Sequence, residues 1–190
     1  MAYGISIESE QDALDFLEHE GVGLDLIPEK FRTYPVLLKA VKKDGDNLAY
    51  ILPEDRTSEL CLEAIKSSPD MLRVIGQPSE EMYIVAVRKD PEMLRYISNQ
   101  TGNICLEAVR KDGLALCYVK NKTPEICLEA VRTTGWAIMY ILDPTEEMCL
   151  QAIETSGGKV LLYIQNPTLK VIQTALSRNP EAFKYVKPWS

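Results

Sequence analysis

Apolar and polar residues alternate along this chain with one recurring frame. In the stretch 123–141 a threonine is followed by apolar Ile126, Cys127, Ala130 and Val131, then by Gly135, and then by apolar Ile138 and Ile141. The first four apolar positions have the spacing of one helix face, with Leu128 widening the stripe. Anchored on its central small residue, the frame recurs at Ala40, Ala64, Ala86, Ala108, Ala130, Ala152 and Ala175, at spacings of 24, 22, 22, 22, 22 and 23. A degenerate first copy precedes them, with Phe16 at the anchor position. A repeat of this length is one supersecondary unit that buries its apolar face only against its neighbours.

Each copy carries its own boundary signals. Seven residues before the anchor stand Ser9, Thr33, Thr57, Ser79, Thr101, Thr123, Thr145 and Thr168 (seven residues before Phe16 in the first copy), whose side-chain oxygens can cap a first helical turn. Glu59, Glu81, Glu125 and Glu147 follow two residues later, on the favourable side of the helix dipole. Five residues after the anchor come Gly21, Gly45, Pro69, Pro91, Gly113, Gly135, Gly157 and Pro180. Gly can stop a helix in the left-handed conformation, and Pro cannot continue one. The frame predicts one helix of about ten residues per copy. The nearly invariant alanine predicts a close approach between neighbouring helices.

A second, shorter segment follows each breaker, with apolar residues eight and eleven positions after the anchor: Leu48/Ile51, Leu72/Ile75, Leu94/Ile97, Leu116/Val119, Ile138/Ile141 and Phe183/Val186. An extra residue at Gly157-Gly158 moves the seventh pair to Leu161/Ile164. This offset predicts a short helix of about two turns. Tyr50, Tyr96, Tyr118, Tyr140, Tyr163 and Tyr185 precede the last apolar position and are expected at the edge of the buried stripe. Leucine-rich repeats share this period, but their strand frame does not recur here. The expectation is a single all-α solenoid of about eight two-helix repeats of 22–24 residues: a degenerate repeat over 9–32, regular repeats over 33–167 and a C-terminal repeat over 168–190.

These units resemble an uncharacterised helical-repeat family of bacterial and viral proteins, known only as a domain of unknown function, whose repeats read T-x-E-x-C-L-x-A-V-x-x-x-G-x-A-L-x-Y-V. The closest matches are 123–141, 101–119 and 57–75; Phe16 at the anchor, Tyr83 and Ile172 in place of Cys, and Val74 in place of Tyr depart from it. The resemblance implies a fold and carries no activity.

Composition narrows the function classes. With 46% hydrophobic and 26% charged residues the chain has the balance of a globular protein. No apolar run approaches the roughly 20 residues that span a bilayer, and the N-terminus lacks the pattern of a signal peptide, so a cytoplasmic location is expected. The net charge is −7. Most of it lies in residues 1–32, where eight acids face Lys30 and Arg32, which argues against a global attraction to nucleic acid.

Candidate chemistry is sparse, and no enzyme, cofactor or metal is expected. Cys61, Cys105, Cys127 and Cys149 share one repeat position. Stacked helices lie about 8–10 Å apart, too far for disulfides that need Cα atoms within about 7 Å, and C-x-x-C pairs are absent. These thiols read as small buried hydrophobes. His19, the single histidine, sits between two glutamates in the weakest repeat and reads as a surface residue.

Two surface rows remain. Lys42, Lys66, Arg88, Arg110 and Arg132 recur two positions after the anchor, a basic ridge that could follow a phosphate backbone. Glu63, Glu107 and Glu129 stand three residues before their bases, which points to mutual neutralisation instead. The other row lies six and nine positions after the anchor. There Asp70/Arg73, Glu92/Arg95 and Glu181/Lys184 give way to Leu114/Cys117 and Trp136/Met139, with Leu162 continuing the row. Two placements fit: an exposed apolar patch that binds a protein partner or a second copy, or a local bend that makes the five residues core.

Overall fold

The computed structural model describes residues 6–186, and the chain divides into two compact units, Met1–Lys89 and Asp90–Ser190. Among the described residues the fold is all-α. The first unit contains α1 (Glu10–Phe16), α2 (Tyr34–Lys43), α3 (Ser58–Ser67) and α4 (Glu80–Lys89). The second contains α5 (Gly102–Lys111), α6 (Pro124–Thr133), α7 (Glu146–Ser156) and α8 (Leu169–Arg178). The boundary falls inside repeat four, between α4 and the short helix that follows it.

The capping pattern shows why each α-helix begins where it does. Hydroxyls of Ser9, Thr57, Ser79, Thr101, Thr123, Thr145 and Thr168 each accept from the backbone N–H three residues on, at 3.1–3.4 Å. Thr33 is the exception: its hydroxyl is buried with no hydrogen-bond partner, and α2 has no side-chain cap. The helix faces are buried as the spacing requires, with all eight anchors from Phe16 to Ala175 in the core.

The second segment of each regular repeat is a six-residue 3₁₀ helix: Gly45–Tyr50, Pro69–Val74, Pro91–Tyr96, Gly113–Tyr118, Gly135–Tyr140, Gly158–Tyr163 and Pro180–Tyr185. Repeat one has a shorter one, Leu24–Leu26. The expected short helix is therefore present with a tighter winding. Three residues per turn eclipse positions i and i+3, so each segment sorts into columns. In repeat six the column Gly135/Ile138 is buried, the column Trp136/Met139 faces outward, and Ala137 is buried with Tyr140 at the edge. A side chain at the preceding residue caps four of these segments: Asp44, Asp90, Asp112 and Asn179 each accept from the N–H two residues on, at 2.9–3.1 Å.

Three of the breaker glycines have a different cause from the one expected. Among the described glycines, positive φ occurs at Gly21 (71°) and Gly157 (80°), and Gly45, Gly113 and Gly135 do not share it. A Cβ on those three would lie 2.2–2.3 Å from the carbonyl oxygen of Ala64, Ala130 or Ala152, the anchor of the next repeat. Glycine is thus required there by contact between backbones. The alanine anchors and these glycines are two halves of one close approach. Gly157 is the inserted residue of repeat seven; its left-handed conformation ends α7, with its N–H on the Ile153 carbonyl at 2.8 Å.

Within the first unit α1, α2, α3 and α4 pack in sequence, and within the second α5, α6, α7 and α8 do the same, with consecutive 3₁₀ helices alongside. The linkers are latched by residues one place before the cap. Arg32 and Arg56 donate through Nε to the Ile27 and Ile51 carbonyls at 2.8 and 2.9 Å, and Lys122 donates to Val119 at 3.0 Å. Asn47, the one buried polar residue among those described, joins repeats one and two. Its Oδ1 accepts from Leu24 N–H at 2.7 Å, and its Nδ2 donates to the Ala40 and Asp44 carbonyls at 3.1 and 2.9 Å. Phe183 departs from its expected burial: it is 71% exposed. Among the described residues no further repeat follows to cover that face.

Candidate protein-binding face

The outward column of the second unit is built by three adjacent 3₁₀ helices. Each holds its own side chains outward because the first, third and fourth residues of the segment are buried against the neighbouring α-helices, with the closing Tyr at the edge. Leu114 is 38% exposed, Met139 37% and Leu162 42%; Cys117 is exposed and Trp136 half-buried. The five residues thus lie at the surface of one unit, and the alternative of a bend that turns them into core is not what the fold adopts. Trp136 is held by the edge of Tyr163, with ring centroids 6.1 Å apart at 81°. That contact fixes the indole against the next repeat.

Charge brackets the apolar column on both sides. In repeat four Glu92 faces Arg95 at 3.7 Å, and in repeat eight Glu181 holds Lys184 at 3.0 Å. These i,i+3 pairs occupy the same positions in the 3₁₀ frame as Leu114/Cys117 and Trp136/Met139. Burial pushes the Cys117 thiol up from its usual range, Tyr118 and the Cys117 backbone opposing and Glu92 reinforcing. A raised pKa keeps the thiol protonated at physiological pH.

Two concavities open on this unit. One, of about 320 Å³, is lined by Leu114, Cys117, Tyr118 and Tyr140 with Asp90, Glu92 and Asp112 around them. The other, of about 410 Å³, lies between the linkers and is lined by Lys122, Cys127, Tyr140, Leu142 and Met148. Sequence reasoning missed both. Tyr140 was legible only as an edge residue, and Leu142, 93% exposed, falls in a linker outside the repeat frame.

The basic row is locally neutralised. In the first unit Lys66 bonds Glu63 at 2.6 Å. In the second, Arg110 lies 3.4 Å from Glu107 and 3.0 Å from Glu129, while Arg132 reaches Glu129 at 4.0 Å and Glu147 at 3.6 Å. The bonds from Arg110 to Glu129 and from Arg132 to Glu147 run between repeats, which the sequence spacing had not suggested. Lys42 and Arg88 are exposed on α2 and α4 of the first unit. Cys61, Cys105, Cys127 and Cys149 are buried free thiols, and burial raises the pKa of all four, that of Cys149 to about 11 with Glu146 adding to it. Among the described residues no group of three or more His, Cys, Asp or Glu is placed to hold a metal ion. No helix among them is long and apolar enough to cross a membrane.

A family model described as a domain of unknown function (DUF4116) matches residues 101–144. The matched stretch begins at the cap Thr101 and stops one residue before the cap Thr145, so it spans repeats five and six. It includes Leu114, Cys117, Trp136 and Met139 of the outward column. No curated protein and no solved structure matches the chain.

Proposed function

We propose that this protein is a non-enzymatic scaffold for protein–protein interaction, and that Leu114, Cys117, Trp136, Met139 and Leu162 form its binding face. One observation carries the reading: three neighbouring 3₁₀ helices expose apolar groups at positions where the flanking helices carry ion pairs. An apolar centre with a charged rim is the usual anatomy of a protein interface, and Trp and Met are favoured anchors there. Nucleic-acid binding along the basic row has weaker support, since Lys66, Arg110 and Arg132 already face carboxylates. We further infer that the whole array, and not only 101–144, descends from the DUF4116 type of repeat, because caps, anchors and 3₁₀ helices recur outside the match. The five free thiols suit a cytoplasmic setting.

Affinity capture from the native host with wild-type bait and with Trp136→Asp and Met139→Lys baits tests the reading. Specific partners or self-assembly should be lost with either variant while the chain stays folded, Met139→Lys at unchanged melting temperature and Trp136→Asp with the modest loss that its contact with Tyr163 implies. Retention of every wild-type association by both folded variants would refute it.

A further inference from the structure

The two concavities of the second unit share a wall. Tyr140, 37% exposed, lines both, so a chain filling one and continuing into the other crosses its ring. The two ends differ in chemistry. Asp90, Glu92 and Asp112 surround the first, and none of its lining residues is cationic. Asp90 and Asp112 each commit Oδ1 to a backbone N–H, of Glu92 and Leu114, which leaves a second carboxylate oxygen on each. Arg95, on the same 3₁₀ helix, offsets Glu92 alone. The second groove presents Pro124, Ile141, Leu142 and Met148 with Lys122, Asp143 and Thr145 among them, and Leu142 is 93% exposed.

We propose that the two grooves form one docking track for an extended segment of a partner protein, with a Lys or Arg at the Asp90–Glu92–Asp112 end and an apolar side chain against Leu142 and Met148. The proposal rests on reading this unit as a protein-binding face and adds the chemistry of what binds. Charge complementarity selects the occupant. A cation at the acidic end gains Coulomb energy and steers approach, while the apolar residues and the Tyr140 ring supply desolvated contact.

Panning a random twelve-residue phage-displayed peptide library on the full chain tests this, followed by anisotropy titration of a fluorescein-labelled enriched peptide. The enriched sequences should pair Lys or Arg with an aromatic or aliphatic residue. Affinity should fall about tenfold, or 1.4 kcal/mol, in the triple variant Asp90→Asn, Glu92→Gln, Asp112→Asn, whose amide oxygens retain the two caps. It should fall comparably in Leu142→Ser, and the triple variant should lose the salt dependence. Unchanged binding in either variant, or no enrichment over uncoated wells, overturns the two-ended track. If the peptide still loses binding in Met139→Lys, the protein-binding reading stands without the track. If it binds Met139→Lys and Trp136→Asp as well as wild type, that reading fails for this peptide surface too.

Discussion

Gly113 and Gly102 belong to the same repeat and make opposite demands on a methyl group. A Cβ at Gly113 would meet the Ala130 carbonyl oxygen at 2.2 Å, Thr134 Cβ at 2.9 Å and Thr134 N at 3.0 Å. Two of these are backbone atoms of a packed helix, so relief requires moving α6 away from the 3₁₀ helix of repeat five. Overpacking of this kind costs about 1–3 kcal/mol, against which removal of glycine's unfolded-state entropy returns about 0.4–1 kcal/mol. Gly113→Ala should therefore destabilise by about 1.3 kcal/mol, the difference between the midpoints of the two ranges. A chain of this size then loses about 3–5 °C of melting temperature. Gly102, at the first position of α5, has nothing within 4 Å of its added Cβ. Gly102→Ala should raise stability by about 0.4–1 kcal/mol. Paired thermal and urea melts of the two variants decide the matter. If Gly113→Ala melts at or above wild type, the close backbone contact is not what keeps glycine at this position.

Other substitutions separate neighbouring explanations. Asn47→Ala strands the Leu24 N–H, while the Ala40 and Asp44 carbonyls keep their backbone donors, and should cost about 1–3 kcal/mol, read as a lowered melting temperature with faster amide exchange at Leu24. Thr123→Ala should cost about 1 kcal/mol through loss of its cap, whereas Thr33→Val, which removes an unpartnered buried hydroxyl, should leave the melting temperature unchanged or higher. Native protein should react with a disulfide reagent at Cys117 alone among its five cysteines, and Cys117→Ala should show no fast-reacting thiol. Cys149 keeps its proton in the folded state up to about 11, above the ordinary thiol value of 9.0, so the folded chain holds more protons than the unfolded one in between. Stability should consequently fall as pH rises through that window and be unaffected by this thiol below it; a flat melting profile across the window would contradict the sign.

Much of this was legible in the sequence, for identifiable reasons. Caps such as Thr57 and Thr123 and the stripe Ile126/Cys127/Ala130/Val131 follow from local rules, and repetition multiplies each weak signal. Contrast with charged residues at the same frame position singled out Leu114, Cys117 and Met139 but left surface and core placements open, and their exposure decides between them. The role of Gly113 could not be read in this way. Breaker and close-contact glycines look alike in one dimension, and only the position of Ala130's carbonyl distinguishes them. The 3₁₀ winding was hidden because an offset of three suits both helix types. The two grooves depend on Tyr140 and Leu142 lying between repeats, a relation no single repeat encodes.

The three-residue winding has a consequence for how such a protein can change. Because it sets the outer column apart from the buried Gly, Ala and Ile or Leu positions, sequence can drift at Leu114 or Leu162 while those packing residues stay as they are. Adjacent copies supply parallel sites for that drift, in the manner of interchangeable type set in a fixed frame. On the binding reading proposed above, specificity would then be rewritten one repeat at a time, without first finding a new fold.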